Sequence, residues 1–385
     1  MALTLDVRPL DREGGSNDPW HHVDWALLLA LAALAAVGCT AIYSANHVSL
    51  SLAGADTWAF VRRQGMALGA GLVVMIVMMS IDYRRFQHAF LAVYLLAVAL
   101  LGAVLVAGSQ VNDTRAWFDF GGFQLQPAEF AKVALIVTLA AYLTHDRVDG
   151  PIPFTKFVGA LFFTGVLAGL ILLQPDLGSA SVLVVICMGC LLVAGANWKH
   201  IALITVMAGI TASALVSSGA LEQYQQDRLT AFIAQNPTEF NRDLILQVRN
   251  SKAAIAQGGV LGQGWLGGPL TNGDYVPENH TDFVFSAVAE QFGLLGSGLL
   301  LALYGFIAMR IWRIARLSKD SFGTVVCAGG LAMLAWHVFE NVGMTMGITP
   351  VTGIPLPLVS YGGSSTVAFL LLMGLVQSVH MRRYA

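Results

Sequence analysis

A few ionisable side chains interrupt an otherwise apolar chain, and their spacing limits what they can do. Asp282 lies in PENHTDFVF (277–285), where a polar stretch gives way to an apolar run, with His280 two residues before it. A carboxylate at such a junction has two readings. One is a helix cap, favoured by unpaired N–H groups and the helix dipole; the other is a general base, made more basic by partial burial beside Phe283 and Phe285. Glu129 and Lys132 are three apart on one helical face, so they either pair with each other or line a polar cavity. Asp176 sits in QPDLG (174–178), between Pro175 and Gly178, placed to reach Lys132 across a bundle. His337 and Glu340 form a second three-apart pair, followed by Asn341, and Glu290 lies one to two turns into the apolar run that begins at 283. Charges at such positions are costly in lipid and mark function by default. Cys187 and Cys190 form a CxxC with no histidine or second CxxC beside it, so they read as small packing residues rather than a metal site.

The elements that must position these groups are membrane helices. Of 385 residues, 56% are hydrophobic and 11% charged, against roughly 25% charged in soluble domains. That composition excludes a soluble protein and a nucleic-acid binder. A spanning helix needs about 20 apolar residues, and runs of that length occur at 23–44, 64–80, 86–107, 126–143, 154–173, 179–195, 200–218, 283–309, 322–347 and 359–381. The fold class is therefore all-α: a polytopic membrane protein of about ten spans. Residues 1–22 form a polar tail with no signal-peptide character, and 382–385 a second tail. If the N-terminus is cytoplasmic, the cytoplasmic connections hold thirteen Lys and Arg, while the short outer loops hold Arg62, Arg63 and Arg115. The positive-inside rule then places both termini in the cytoplasm and the long loop 219–282, between spans seven and eight, outside.

Within that loop, residues 241–257 put Leu244, Ile245, Val248 and Ile255 on one helical face and Arg242, Asp243, Arg249 and Lys252 elsewhere. This predicts an amphipathic helix, lying in the membrane interface or packed on the bundle, with a basic face open to a lipid phosphate. Six glycines between Gly258 and Gly268 follow and read as a mobile connection. Residues 353–365 contain Pro355, Pro357, Gly362 and Gly363, so they are not regular helix throughout. They form either a re-entrant cavity wall or a rigid turn capping the last span.

Five segments together resemble the SEDS (shape, elongation, division and sporulation) family of bacterial cell-wall polymerases. They are RAWFDFGGFQLQPAEFAK (115–132), QPDLG (174–178), DRLTAF (227–232), PENHTDFVFSAVAEQFG (277–293) and NVGMTMGITPVTGIPLPLVSYGGSS (341–365). Thr352, where division-type (FtsW-like) members commonly carry lysine, makes the chain more similar to the RodA elongation type. The resemblance implies a ten-span enzyme of the bacterial cytoplasmic membrane that polymerises lipid II into glycan strands outside that membrane. It implies that Asp282 is the catalytic loop aspartate, that Arg115 and Trp117 form an important outer-loop pair, and that Glu129, Lys132, Asp176 and, in our reading, Glu340 face a central cavity. Its implied partner is a class B penicillin-binding protein, with other elongation-complex membrane proteins beside it.

The implied reaction joins an acceptor GlcNAc 4-hydroxyl to a donor MurNAc anomeric carbon, with inversion and release of undecaprenyl pyrophosphate. Asp282 is the expected base. Arg115, Trp117, Arg228, Arg249, Lys252 and His280 are the candidate substrate and pyrophosphate contacts, the cations meeting the charge that develops on the leaving group. A divalent cation held by Asp282 is the alternative to Asp282 as base. A lipid-precursor flippase is the competing function, because buried ionisable groups also suit a translocation path; a scaffold without chemistry is a third.

Overall fold

The structure, a computed structural model, describes residues 19–111, 114–119, 121, 124–145, 150–197, 199–200, 202, 206, 232, 242–273 and 275–384. Among the described residues six α-helices come first: α1 (Trp25–Leu52), α2 (Ala59–Ser80), α3 (Arg84–Ala107), α4 (Pro127–Thr144), α5 (Phe154–Leu172) and α6 (Leu177–Val193). Five follow: α7 (Arg242–Gly258), the short α8 (Pro269–Asn272), α9 (Val284–Leu317), α10 (Ser321–Met346) and α11 (Gly363–Met381). Between α3 and α4 a small antiparallel sheet runs in the order β1 (Ser109–Val111), β2 (Thr114–Asp119), β3 (Gln124–Leu125). Among the described residues, eight helices, α1 to α5 and α9 to α11, are long and apolar enough to cross a membrane. Apolar α6 is slightly shorter, at 17 residues. Most boundaries fall within a few residues of the expected spans, but α1 continues to Leu52 and α9 to Leu317. Apart from residues 200, 202, 206 and 232, the expected span at 200–218 and the loop up to residue 241 lie outside the described residues, as does most of the N-terminal tail.

α4 and α11 are buried on nearly every face, whereas α2, α3 and α5 expose apolar side chains such as Leu72, Leu95 and Phe162. Apolar exposure on this scale belongs to a surface solvated by lipid. Helices inside the bundle approach through small residues: a Cβ on Gly374 of α11 would lie 2.6 Å from the Met75 carbonyl oxygen of α2. Such contacts are expected where packing, not the hydrophobic effect, drives association. The cysteines fit the packing reading, since Cys187, Cys190 and Cys327 are buried and all four are free.

Both ends of the described chain meet on one face of the bundle. Asp24 caps α1 by accepting from the Leu27 N–H at 3.0 Å, and its Oδ2 accepts from Arg310 Nε and Nη2 at 3.0 and 2.6 Å. Gln377 of α11 accepts from the Asp24 N–H at 3.1 Å and donates to its carbonyl at 2.9 Å. On the same face Asp320 caps α10 and accepts from the Tyr83 hydroxyl at 2.6 Å. Burial, reinforced by that hydrogen bond, holds the Tyr83 hydroxyl pKa above its usual value.

On the opposite face α9 is kinked at Gly293, whose φ and ψ of 63° and −162° are not helical. Two bonds of the helical ladder are replaced there by four to the glycine-rich stretch. Glu290 and Gln291 carbonyls accept from the Gln263 and Gly264 N–H groups, both at 3.0 Å, while Leu294 and Leu295 donate to the Gly259 and Val260 carbonyls at 2.9 and 3.1 Å. The stretch expected as a mobile connection is therefore stitched to α9. A Cβ on Gly293 would fall 2.6 Å from the Val260 carbonyl oxygen, so close backbone approach is what the glycines provide.

Candidate active site

Asp282 is half-buried and directly precedes Phe283, the N-cap residue of α9, which makes no side-chain capping bond. The turn leading to it is closed by the Phe283 N–H donating to the Glu278 carbonyl at 3.0 Å and by the Thr281 hydroxyl donating to Glu278 Oε2 at 2.7 Å. Phe283 packs with Ala254 and Val276 in a small apolar cluster joined by Val248, Leu270 and Val351. That cluster seats α7 beneath the turn. Polar ties reinforce it: Gln247 donates to the Pro277 carbonyl at 2.9 Å, Asn250 to Tyr275 at 2.6 Å, and the Ser251 hydroxyl to Thr345 at 2.8 Å. The amphipathic helix is thus packed on the bundle, as the second of its two readings held.

Opposite Asp282 runs the segment after α10. Residues 351–362 are irregular, yet Ile354, Leu356, Leu358 and Val359 are buried. The Tyr304 hydroxyl, 20 residues into α9, donates to the Pro357 carbonyl at 2.6 Å. A Cβ on Gly38, midway along α1, would meet the Leu358 carbonyl. Both contacts place the segment inside the bundle, which supports the re-entrant reading over a turn at the surface. Asn341 Nδ2 donates to the carbonyls of Asp282 and Ile354, both at 2.8 Å, clamping turn and segment together. Gly353, with φ +76°, faces the carboxylate: a Cβ there would lie 3.2 Å from Asp282 Oδ2.

The buried polar residues support this same segment from within. Lys132 Nζ donates to Glu129 Oε1 at 2.7 Å and lies 3.4 Å from His337 Nε2, while His337 Nδ1 is 3.2 Å from the Pro355 carbonyl. Lys132 and Glu129 are 1% and 2% exposed, so the ion pair is dry. Glu340 accepts from the Thr352 hydroxyl at 3.1 Å rather than pairing with His337. Asp176 does not ion-pair with Lys132. It caps α6 by accepting from the Ser179 N–H at 2.8 Å, and accepts from Gln126 Nε2 at 3.3 Å. Its neighbour Gly178 abuts the segment, where a Cβ would sit 2.9 Å from the Thr352 carbonyl oxygen.

Cations flank this centre at two places. Lys252 lies beside Gly347, the left-handed C-cap of α10, where a Cβ would come within 2.5 Å of Nζ. Arg249 and Lys252 line a small cavity walled by Leu244, Ile245, Val248 and residues 347 and 349–351. Arg115 and Trp117 stand on β2, with Arg115 exposed and the Trp117 carbonyl accepting from the Ser109 hydroxyl at 2.9 Å. The sheet is tied to α11 by Ser364, whose hydroxyl donates to the Gln124 carbonyl at 2.8 Å and accepts from the Gln126 N–H at 2.9 Å. His280 packs its ring against Phe60 at 4.8 Å and Tyr361 at 5.8 Å, and its carbonyl accepts from the Tyr361 N–H at 2.8 Å. Arg228 lies outside the described residues. Among the described residues no group of three or more His, Cys, Asp or Glu is placed to hold a metal ion. A cation at Asp282 would therefore depend on substrate phosphates for most of its ligands, and no step is assigned to it. Reading the sequence passed over Gly353 and Ser364; their only signal was glycine and serine in the irregular stretch around the last span.

A family model described as cell cycle protein, FTSW_RODA_SPOVE, matches residues 24–385. The chain belongs to this FtsW/RodA/SpoVE family. Similar curated relatives include the peptidoglycan glycosyltransferase MrdB of Escherichia coli K12, 33% identical over 94% of each chain. The probable peptidoglycan glycosyltransferase FtsW of Bacillus subtilis 168 is 32% identical over 93% of this chain and 90% of its own. Among solved structures, a chain of a peptidoglycan synthase complex that coordinates polymerization and crosslinking superposes with a TM-score of 0.79, at 32% identity, covering 94% of this chain and 98% of that one. RodA of Thermus thermophilus gives 0.70 at 31% identity, covering 95% and 99%. The SEDS resemblance read from five sequence segments is thus borne out for the family. Three of those segments of this FtsW/RodA/SpoVE member converge in space on residues 352–364 of a fourth, while DRLTAF lies outside the described residues except Phe232.

Proposed function

We propose that this family member is a peptidoglycan glycosyltransferase of the elongation (RodA) type that polymerises lipid II on the outer face of the bacterial cytoplasmic membrane. The observation that carries the reading is the seat of Asp282: a half-buried carboxylate held against Gly353 at the rim of a re-entrant segment, with an apolar cavity bearing two cations on the adjoining helix. Asp282 takes the proton of the acceptor GlcNAc 4-hydroxyl. The oxygen attacks the donor MurNAc anomeric carbon from the face opposite the leaving group, and the bond to undecaprenyl pyrophosphate breaks with its electron pair. The pyrophosphate leaves as a stabilised anion and needs no acid. Arg249 and Lys252 meet its charge, while Leu244, Ile245 and Val248 suit the first isoprene units. A positioned base contributes roughly 10²–10⁴-fold, and oriented cations in a dry site add to it.

The charge asymmetry of the connections supports cytoplasmic termini and an outward loop. Similarity to a chain of a synthase complex supports a class B penicillin-binding protein as partner, so that crosslinking accompanies strand growth. Polymerisation of lipid II by purified Asp282→Asn in detergent tests the reading. Glycan synthesis at the wild-type rate by the folded variant sinks Asp282 as base. Because detergent abolishes sidedness, a protein that moves lipid-linked precursor in vesicles yet makes no glycan in detergent would instead be a flippase.

A further inference from the structure

Glu290 is fully buried in α9 two turns beyond Asp282, and the reaction just described gives it no part. Its carboxylate is nonetheless completely engaged by the loop. Oε1 accepts from the Leu270 N–H at 2.8 Å; Oε2 accepts from the Thr271 N–H at 2.9 Å and from the Thr271 hydroxyl. Gly268 lies flat against it, where a Cβ would come within 2.6 Å of Oε2. Thr271 in turn passes the contact on: its carbonyl accepts from Asn279 Nδ2 at 3.2 Å, and Asn279 is buried three residues before Asp282. One residue along, Gln291 Oε1 accepts from the Leu266 N–H at 3.3 Å and from the Ser44 hydroxyl of α1.

A carboxylate within an apolar helix is costly to keep. A bundle needing only packing could fill the place with leucine, and removing one partner of a buried charge is strongly destabilising. Here, among the described residues, every hydrogen-bond partner of the charge belongs to the loop that ends at Asp282. We infer that Glu290 is a positioning residue for the glycosyl transfer: through Thr271 and Asn279 it fixes the height of the 275–283 turn, and so of the Asp282 carboxylate, relative to the re-entrant segment. The kink at Gly293 is part of the same device, since it frees the Glu290 and Gln291 carbonyls that bind residues 263 and 264. Glu290 touches no substrate. The inference rests on Asp282 acting as the base.

Steady-state polymerisation of lipid II by the full-length protein in detergent, paired with amide hydrogen exchange, tests it. In Glu290→Gln, which keeps the volume and one acceptor oxygen, and in Thr271→Val, exchange at residues 263–271 quickens while the spanning helices stay protected. In both, kcat falls and KM for lipid II stays within about twofold of wild type, because the binding groups are untouched. Glu290→Ala falls further, by about 10²-fold, the loss expected for a displacement near 1 Å. Should Glu290→Ala not fold, Glu290→Gln and Thr271→Val decide the matter. Wild-type kcat in a variant whose loop has lost protection overturns the inference, and so does a rise in KM at constant kcat. Activity lost with full protection at residues 263–271 also overturns it. Wild-type protein that makes no glycan removes both this inference and the polymerase reading, whereas active wild type with fully active Glu290 variants removes only this one.

Discussion

Asn341 holds Asp282 by its backbone, not by its carboxylate: one side-chain amide donates at 2.8 Å to the Asp282 carbonyl and at 2.8 Å to that of Ile354. The arrangement fixes the backbone from which the carboxylate starts. Asn341→Asp removes both donors and turns an acceptor toward two carbonyls. Leaving buried groups unsatisfied costs about 1–3 kcal/mol, so the variant should melt lower in detergent and polymerise lipid II at least tenfold more slowly, roughly one such increment in barrier. Thermal unfolding and turnover measured on one preparation check this.

Gly353 is the second constraint on the carboxylate. Its φ of +76° suits glycine, and a Cβ would stand 3.2 Å from Asp282 Oδ2. Gly353→Ala should therefore combine backbone strain of about 1–3 kcal/mol with a shifted carboxylate. We expect the loss in kcat to exceed that of Gly54→Ala, which has φ +65° and open space around it. Comparing the two variants separates strain from crowding at the site.

The Glu129–Lys132 pair is dry, and breaking it differs from removing it. Lys132→Met leaves a buried carboxylate unpaired, which typically costs about 3–5 kcal/mol. Lys132→Met combined with Glu129→Gln removes the charge as well. The double variant should regain most of the melting temperature lost by the single one. If the pair also supports the re-entrant segment through His337 and Pro355, the regained stability comes without regained activity.

Lys252 and Arg249 predict a binding phenotype. Lys252→Met keeps an atom at the Cε position that packs on Gly347 and removes the charge. KM for lipid II should rise several-fold, with thermal stability near wild type, and the remaining affinity should depend less on salt, since screening acts on the charge that was lost. An unchanged KM would detach this cavity from the lipid pyrophosphate.

Much of the architecture was legible because hydropathy is local. The amphipathic helix expected at 241–257 forms at Arg242–Gly258, and the Glu129–Lys132 pairing follows from i,i+3 geometry alone. Asp176 stays away from Lys132 because its carboxylate is engaged locally: an aspartate three residues before the Ser179 N–H is an ordinary N-cap. The kink at Gly293 was not legible: an apolar run reads straight through it, and its cause is pairing with residues about 30 earlier in the chain. Gly353 and Asn341 could not be ranked from sequence for the same reason, since their importance is a distance to Asp282 that only the tertiary fold creates.

The clamp of Asp24 by Arg310 and Gln377 sets an order on biogenesis. The first spanning helix is made and inserted some 280 residues before its buried carboxylate can meet the arginine, at the usual pace of about 5–20 residues per second. During that interval the start of α1 must stay hydrated at the membrane surface or borrow a partner. Only when α9 and then α11 arrive are the partners of Asp24 complete, so the first helix made is among the last to have its polar end satisfied.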